Sequence, residues 1–164
     1  MKTLLIRSRQ KIRAVETPLL RRFARALLEE KLGLVRYELG LHLVASPEMA
    51  LLNETFLRHS GPTDVITFDH LESPDAPLLH GEIFICLDEA VRQARAFRTT
   101  WQNELARYII HGVLHLRGYD DLTAVKCRVM KREENRLLRQ LARQFPLRRF
   151  ARSSGNEPPV ACQH

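Results

Sequence analysis

The sequence predicts a single α+β domain in which a small four-stranded mixed sheet is covered by about five helices. Its 164 residues are enough for one hydrophobic core. Four short apolar segments have the length of strands, and longer amphipathic segments lie between and after them. There are no internal repeats. We expect residues 1–146 to form the domain and residues 147–164 to form a basic, disordered tail, since the last residues are rich in Ser, Gly and Pro.

The first part of the chain predicts a strand, a helix and a second strand. Residues 3–7 are short and apolar, and Thr17 followed by Pro18 indicates the start of a helix that ends near Gly33. Residues 37–45 alternate between leucines and polar or small residues. This alternation is the period of a half-buried strand.

The remaining elements follow from helix start signals, apolar runs and chain breaks. Ser46-Pro47-Glu48 opens a helix, and the last helix ends before Pro146. A mostly polar loop with two prolines separates the third and fourth strands. The predicted strands are 65–68 and 82–86, and the predicted helices are 47–57, 88–97, 100–116 and 123–144.

Positive charge is concentrated at the two ends of the chain. Residues 1–25 carry eight Lys and Arg against one acidic residue, and residues 126–152 carry ten against two. The segment between them, residues 26–125, carries eight basic against fifteen acidic residues. This layout suits a polyanion held by basic flanks. Two solvated helix faces are the alternative interpretation of the same pattern.

The composition indicates a cytoplasmic protein. No apolar run approaches the roughly 18 residues that span a membrane, and the apolar stretch at the N-terminus is too short for a signal peptide. The three cysteines, Cys86, Cys127 and Cys162, are widely spaced and include no C-x-x-C pair. An odd number of such residues is unlike a disulfide framework.

One motif predicts a metal site at the end of the helix over 100–116. His111 and His115 are four residues apart and therefore lie on one helix face. Gly118 is well placed to end the helix, and the turn after it would bring Asp121 towards both imidazoles. Two histidines and one carboxylate with an open position form the ligand set of a catalytic zinc site. The spacing is similar to the metzincin pattern, with Asp121 in place of its third His.

Position 112 departs from the zincin pattern, because Gly112 stands where zincin proteases have the Glu that activates water. The metal frame is therefore present without the general base of a protease. Two core histidines followed by a helix-capping Asp are the alternative interpretation of this segment.

The segment His111-Gly-Val-Leu-His-Leu-Arg-Gly-Tyr-Asp resembles the signature of the YbeY family of metal-dependent endoribonucleases. Two further segments match in the same order, Pro62 to Phe68 and Gly81 to Ile85. Weaker matches at Leu52-Asn53, Met130 and Glu134 extend the resemblance over about residues 37–140. The usual family pattern closes with a third His, whereas this chain has Asp121.

The resemblance implies a metal-dependent, single-strand-specific endoribonuclease. It would act in maturation of the 3′ end of 16S ribosomal RNA and in ribosome quality control. One zinc ion per chain would be held by His111, His115 and Asp121, with Mn²⁺ or Mg²⁺ conceivable because a carboxylate makes the site harder. The expected partners are single-stranded ribosomal RNA and the small ribosomal subunit or its assembly proteins, without a membrane. The oligomeric state is open, and a monomer is favoured.

Three residues are candidates for catalysis. Arg58 lies one position after the place where family members carry an Arg thought to contact phosphate, and His59 is an alternative base or phosphate contact. Glu82 could orient a metal-ligating imidazole through its free ring N–H, or lie exposed at the strand end. Asp64 is either a turn residue or part of the cleft border.

Two rival functions remain at this point. One is a metallohydrolase for another substrate, including peptides, against which the missing Glu at position 112 argues. The other is an RNA-binding ribosome-assembly factor that uses its metal only to hold the fold. A structural zinc usually has four protein ligands, whereas three are found here.

Overall fold

The computed structural model describes residues 1–57, 63–72 and 78–153. They form one four-stranded mixed sheet in the order β1-β2-β4-β3. Strands β1, β2 and β4 are parallel to one another, and β3 pairs with β4 in the antiparallel direction. The strands are β1 Lys2–Ser8, β2 Tyr37–Val44, β3 Val65–Asp69 and β4 Leu79–Cys86.

Within the described ranges, five α-helices surround this sheet, two of them extended by a π-helical turn, and they confirm the predicted α+β class. Each observed helix begins and ends within a few residues of its predicted bounds. The helices are α1 Thr17–Arg25 with its extension Ala26–Lys31, α2 Ser46–Leu52 with its extension Asn53–Leu57, α3 Leu87–Phe97, α4 Trp101–Leu116 and α5 Ala124–Gln144.

Helix α4 packs directly on strand β4, and two glycines allow this close approach. A Cβ atom on Gly112 of α4 would lie 2.7 Å from Ile83 Cγ2 in β4. A Cβ atom on Gly81 of β4 would lie 2.8 Å from Leu116 Cδ2 in α4. Position 112 therefore faces the sheet, and the helix backbone, with both histidines, is held against β4.

Strand β2 is more buried than the predicted half-buried strand. Leu39, Leu41 and Leu43 are buried as expected, but His42 and Val44 on the opposite face are buried as well. The reason is that β2 lies between two other strands, and a second apolar cluster covers part of its other face. That cluster consists of Val44, Met49, Ile66, Phe84 and Cys86, with Leu52 and Phe68 packed against it.

The folded part of the chain extends beyond residue 146, where the sequence predicted the domain to end. Leu147–Phe150 forms a 3-10 helix, and Phe150 is fully buried against Phe23, with ring centroids 5.3 Å apart. Ala151 forms a bridge to Val15. Burial of this aromatic ring is the physical reason for the longer domain. The rest of the predicted tail, residues 154–164, lies outside the described residues.

In the described part of the chain, no helix has both the length and the apolar character needed to cross a bilayer.

Candidate metal centre

Helix α4 ends in the predicted left-handed turn. Gly118 has φ +96°, a conformation that favours glycine. The N–H of Gly118 donates to the carbonyl of His115, and the N–H of Tyr119 donates to the carbonyl of Leu114, both at 3.0 Å. This cap reverses the chain after His115 and directs the following residues back towards the helix end.

The three predicted ligands come together at this turn. One ligand atom from each of His111, His115 and Asp121 lies within 4.8 Å of the other two. The two Nε2 atoms are 3.0 Å apart. A tetrahedral zinc with Zn–N bonds of about 2.0–2.1 Å requires an N···N separation of about 3.3 Å. A small outward movement of the rings would satisfy that distance, so the donor set fits a metal ion.

The other ring nitrogens of both histidines are already engaged. His111 Nδ1 lies 2.9 Å from Glu134 Oε2, and His115 Nδ1 lies 3.1 Å from the carbonyl oxygen of Tyr119. Both partners are acceptors, so each imidazole donates from Nδ1 and, in its neutral form, keeps a lone pair on Nε2. This is how proteins orient metal-ligating histidines. Arg107 holds the other oxygen of Glu134 at 2.9 Å.

The electrostatics of the centre depend on the buried Glu134 carboxylate. Burial opposes protonation of His111, but the hydrogen bond and charge of Glu134 outweigh it and raise the pKa of His111. For Glu134 itself, burial favours the neutral acid, but hydrogen bonds from His111 and Arg107 outweigh it and lower its pKa. Burial, followed by the neighbouring His111, lowers the pKa of His115. His115 is therefore readily available as a neutral ligand.

A cavity of about 220 Å³ opens beside His111 and Asp121. Tyr108 lines it, and its buried hydroxyl has no hydrogen-bond partner among the described residues. A buried tyrosine hydroxyl normally finds one. Lys131 also lines the cavity; it is exposed and forms no ion pair within the part of the chain that the structure describes. The cavity therefore offers an unpaired cation beside His111 and Asp121, whereas the Tyr108 hydroxyl is buried behind its wall.

The two adjacent aspartates have different roles. Asp120 accepts from the N–H of Leu122 at 3.1 Å and from Lys126 Nζ at 3.3 Å, so it stabilises the turn. Backbone hydrogen bonding at Leu122, assisted by Lys126, lowers the pKa of Asp120. Asp121 is the aspartate that lies with the histidines, as the spacing predicted.

Asp64 combines the two roles that the sequence left open. Its Oδ1 accepts from the N–H of Val65 at 2.8 Å, which is a turn interaction. The same residue lines the cavity beside His111, and its charge contributes to the raised pKa of that histidine.

Glu82 does not orient a ligand imidazole, and that prediction is wrong. Its oxygens lie 3.0 Å from His42 Nε2 and 3.0 Å from His70 Nε2. Side chains alternate along a strand. Because Gly81 and Ile83 face α4, Glu82 points to the opposite face of the sheet.

Arg58 and His59, the other predicted catalytic residues, lie outside the described residues. Sequence reasoning gave no role to Glu134, Tyr108 or Lys131. The family resemblance included Glu134, which was the one available signal for its importance.

The fold and the site define a small α+β domain with a candidate His-His-carboxylate metal centre on its core helix. The family model described as endoribonuclease YbeY matches residues 5–142. The chain therefore belongs to the endoribonuclease YbeY family, as the resemblance of the motifs implied.

Several curated relatives named endoribonuclease YbeY are similar to this chain. The Chlorobium luteolum protein is 41% identical over 92 residues, which is 56% of this chain and 65% of that protein. The Bordetella pertussis protein is 36% identical over 109 residues, or 66% of this chain and 69% of that protein. The match to the Chlorobium phaeovibrioides protein covers 61% of its length. For two of these three relatives the match thus spans less than two thirds of the protein.

A solution structure of a Thermotoga maritima protein has the same fold. The TM-score is 0.64 at 24% identity, and the match covers 95% of this chain and 100% of that one. At this level of identity the likeness supports the fold.

Proposed function

We propose that this chain is a metal-dependent endoribonuclease that cleaves single-stranded RNA. Membership of the YbeY family supports the reaction class. The observation that carries the proposal is the convergence of His111, His115 and Asp121 beside a cavity that also presents Lys131. An unpaired cation next to a metal centre suits a phosphodiester, which brings a negative charge to the reacting atom.

The roles of the protein groups follow from their contacts. His111, His115 and Asp121 would hold the ion, which when bound would polarise a phosphate oxygen and lower the pKa of a nearby water. Glu134 and the Tyr119 carbonyl orient the two imidazoles. Lys131 would contact the phosphate. Arg58 and His59 remain candidates for phosphate contact and proton transfer.

The finer assignment is also part of the proposal. Ribosomal RNA is the proposed substrate, with the 3′ end of 16S RNA as the cleavage region and ribosome quality control as the wider role. The basic segments at both ends of the chain support a polyanionic substrate. We propose zinc as the ion, a cytoplasmic location, a monomer, and the small ribosomal subunit or its assembly proteins as partners.

The direct test measures bound metal and RNA cleavage in one preparation. The full chain, purified without chelators, is expected to hold about one metal equivalent and to cut single-stranded RNA in preference to duplex RNA. Chelation and His115→Ala should each abolish cleavage. The matched control is His80→Ala, because His80 lies near Glu38 and away from the centre. Cleavage that survives both chelation and His115→Ala would refute the proposal.

Two other outcomes would favour the rival functions. Metal without RNA cleavage, together with a lower melting temperature for His111→Ala, would favour an assembly factor with a non-catalytic metal. Metal-dependent digestion of a protein such as casein would favour a peptidase. Absence of bound metal would return the two histidines to a role in packing.

A further inference from the structure

The last part of the described chain lies beyond the family-matched residues 5–142 and folds back on helix α1. The N–H of Glu16 donates to the carbonyl of Phe150 at 2.8 Å, and the N–H of Arg152 donates to the carbonyl of Ala14 at 2.9 Å. Together with the buried Phe150 ring, these bonds fix the segment 147–152 in place. Its arginines therefore have defined positions relative to α1.

A groove of about 680 Å³ lies between the start of α1 and this segment. Arg22 of α1 and both Arg148 and Arg149 of the 3-10 helix line the groove, and all three are exposed. None of them forms an ion pair within the described ranges. Glu16 is the acidic residue of the lining, so the groove carries a net positive charge. Three unpaired guanidinium groups line this one groove, and a guanidinium is the side-chain group best suited to bind phosphate oxygens.

The groove lies at the opposite end of helix α4 from the metal centre. Gln102 Nε2 at the start of α4 donates to the carbonyl of Arg148 at 3.5 Å. His111 and His115 follow nine and thirteen residues later, which at about 1.5 Å per residue is roughly 14 and 20 Å along the helix. At about 3.4 Å per nucleotide of a stacked strand, this distance corresponds to about four to six nucleotides.

Helix α5 connects the two places, since Glu134 contacts His111 while Gln144 lines the groove. Its solvent face carries a row of exposed arginines spaced four, seven and four residues apart. This spacing keeps them on one side of the helix, roughly opposite the side from which Glu134 and Gln144 project. The row consists of Arg128, Arg132, Arg139 and Arg143.

We propose that the groove lined by Arg22, Arg148 and Arg149 binds the phosphate backbone of single-stranded RNA at a distance from the cleavage site. The choice of RNA rests on the proposed function. The groove would hold the strand about four to six nucleotides from the scissile bond.

The binding test compares two triple variants of the full chain. The groove variant is Arg22→Gln, Arg148→Gln and Arg149→Gln. The probe is a 2′-O-methylated single-stranded RNA of about 12 nucleotides, labelled for fluorescence anisotropy. Loss of each arginine–phosphate contact should lower the affinity for RNA by up to a factor of a few. The Kd of the triple variant should therefore rise about tenfold. The slope of log K against log salt should fall by about two, at roughly 0.7 per phosphate contact.

The control variant removes the same number of exposed, unpaired arginines from other surfaces. Its Kd should stay within about twofold of the wild type, because charges beyond the Debye length of about 8 Å are screened at physiological salt. Equal weakening by both variants would overturn the proposal, as would a wild type that does not bind the RNA. The control is Arg7→Gln, Arg36→Gln and Arg98→Gln.

Cleavage of natural RNA provides a second readout. The groove variant should raise KM for an RNA of about 12 nucleotides and leave kcat unchanged. With a substrate of about three nucleotides, too short to span the distance, it should behave as the wild type. Equal KM effects on both lengths would overturn the proposal. If the wild type binds RNA without cutting it, the proposed nuclease function fails, and the binding comparison still decides the role of the groove.

Discussion

Replacement of Glu134 gives the most informative test of the candidate metal centre. The carboxylate is 6% exposed and lies 2.9 Å from His111 Nδ1. Loss of a partner that orients a metal ligand typically costs 10- to 100-fold in metal affinity. Glu134→Gln keeps a neutral acceptor for the Nδ1 proton and should cost about tenfold. Glu134→Ala removes the acceptor altogether and should cost about 100-fold, or roughly 2.8 kcal/mol.

The pH dependence of metal binding makes this prediction specific. Glu134 raises the pKa of His111, so in the wild type a proton competes with the metal for this imidazole. Without the charge of Glu134, the pKa of His111 falls. In Glu134→Gln the pH at which metal binding is half-maximal should therefore move down, although the affinity at high pH is lower. A variant that is merely misfolded would lose affinity without this downward movement.

The assay is competition for zinc against a chromogenic chelator, repeated over a pH series. Glu133→Gln is the matched control, because Glu133 is the neighbouring residue on α5 and pairs with Arg136 instead of a histidine. The reasoning would be refuted if Glu134→Gln bound metal within about twofold of the wild type, or if Glu133→Gln lost as much.

The same ion pair makes the stability of the metal-free chain depend on pH. The pKa of Glu134 is lowered from 4.5, so its contribution is present above that value and is lost as the pH falls through the folded-state pKa. The pKa of His111 is raised from 6.5, so its contribution is present below that value and is lost as the pH rises through the folded-state pKa. In urea unfolding with chelator present, the free energy of unfolding should fall towards acid pH and again towards high pH. Both of these pH-dependent changes should be smaller in Glu134→Gln.

Four further substitutions test other parts of the site. Asp121→Ala should abolish metal retention, whereas Asp120→Ala should keep most of it, and equal losses by elemental analysis would rule out Asp121 as the third ligand. Gly112→Ala should destabilise the fold by about 1–3 kcal/mol in urea unfolding, since the new Cβ would lie 2.7 Å from Ile83 Cγ2. Stabilisation, as helix propensity alone favours, would contradict this packing. Tyr108→Phe should keep or raise the melting temperature, because it removes a buried hydroxyl that has no hydrogen-bond partner among the described residues. A lower melting temperature would instead assign the hydroxyl a structural role.

Most of the fold follows from local signals in the sequence. Helix α4 begins after Thr100, whose side chain accepts from the N–H of Asn103, and it ends before Gly118. Helix α5 begins after Thr123 in the same way. Caps, glycine turns and apolar periods act over a few residues, which is why the bounds of these elements could be predicted. The three candidate ligands could be predicted for the same reason, as they lie within eleven consecutive positions.

The errors concern contacts between distant parts of the chain. Glu134 lies 23 residues from His111, and only the packing of α5 on α4 brings them together. Glu82 has the right chemistry to orient a histidine, but α4 packs on the face of the sheet opposite to the Glu82 side chain. The local sequence does not reveal which face α4 covers. The 3-10 helix precedes residues rich in Ser, Gly and Pro that predict a tail, whereas the burial of Phe150 depends on Phe23, far away in sequence.

The cap of helix α4 has a consequence for hydrogen exchange. The N–H groups of Gly118 and Tyr119 are bonded within the same turn that supplies the His115 partner and leads to Asp121. Because these bonds lie at a helix end, their amide protons should exchange through local opening of this one turn. An ion that links His115 to Asp121 would have to be released before the turn opens. The exchange rates of two backbone amides therefore report on the occupancy of the centre, independently of any substrate.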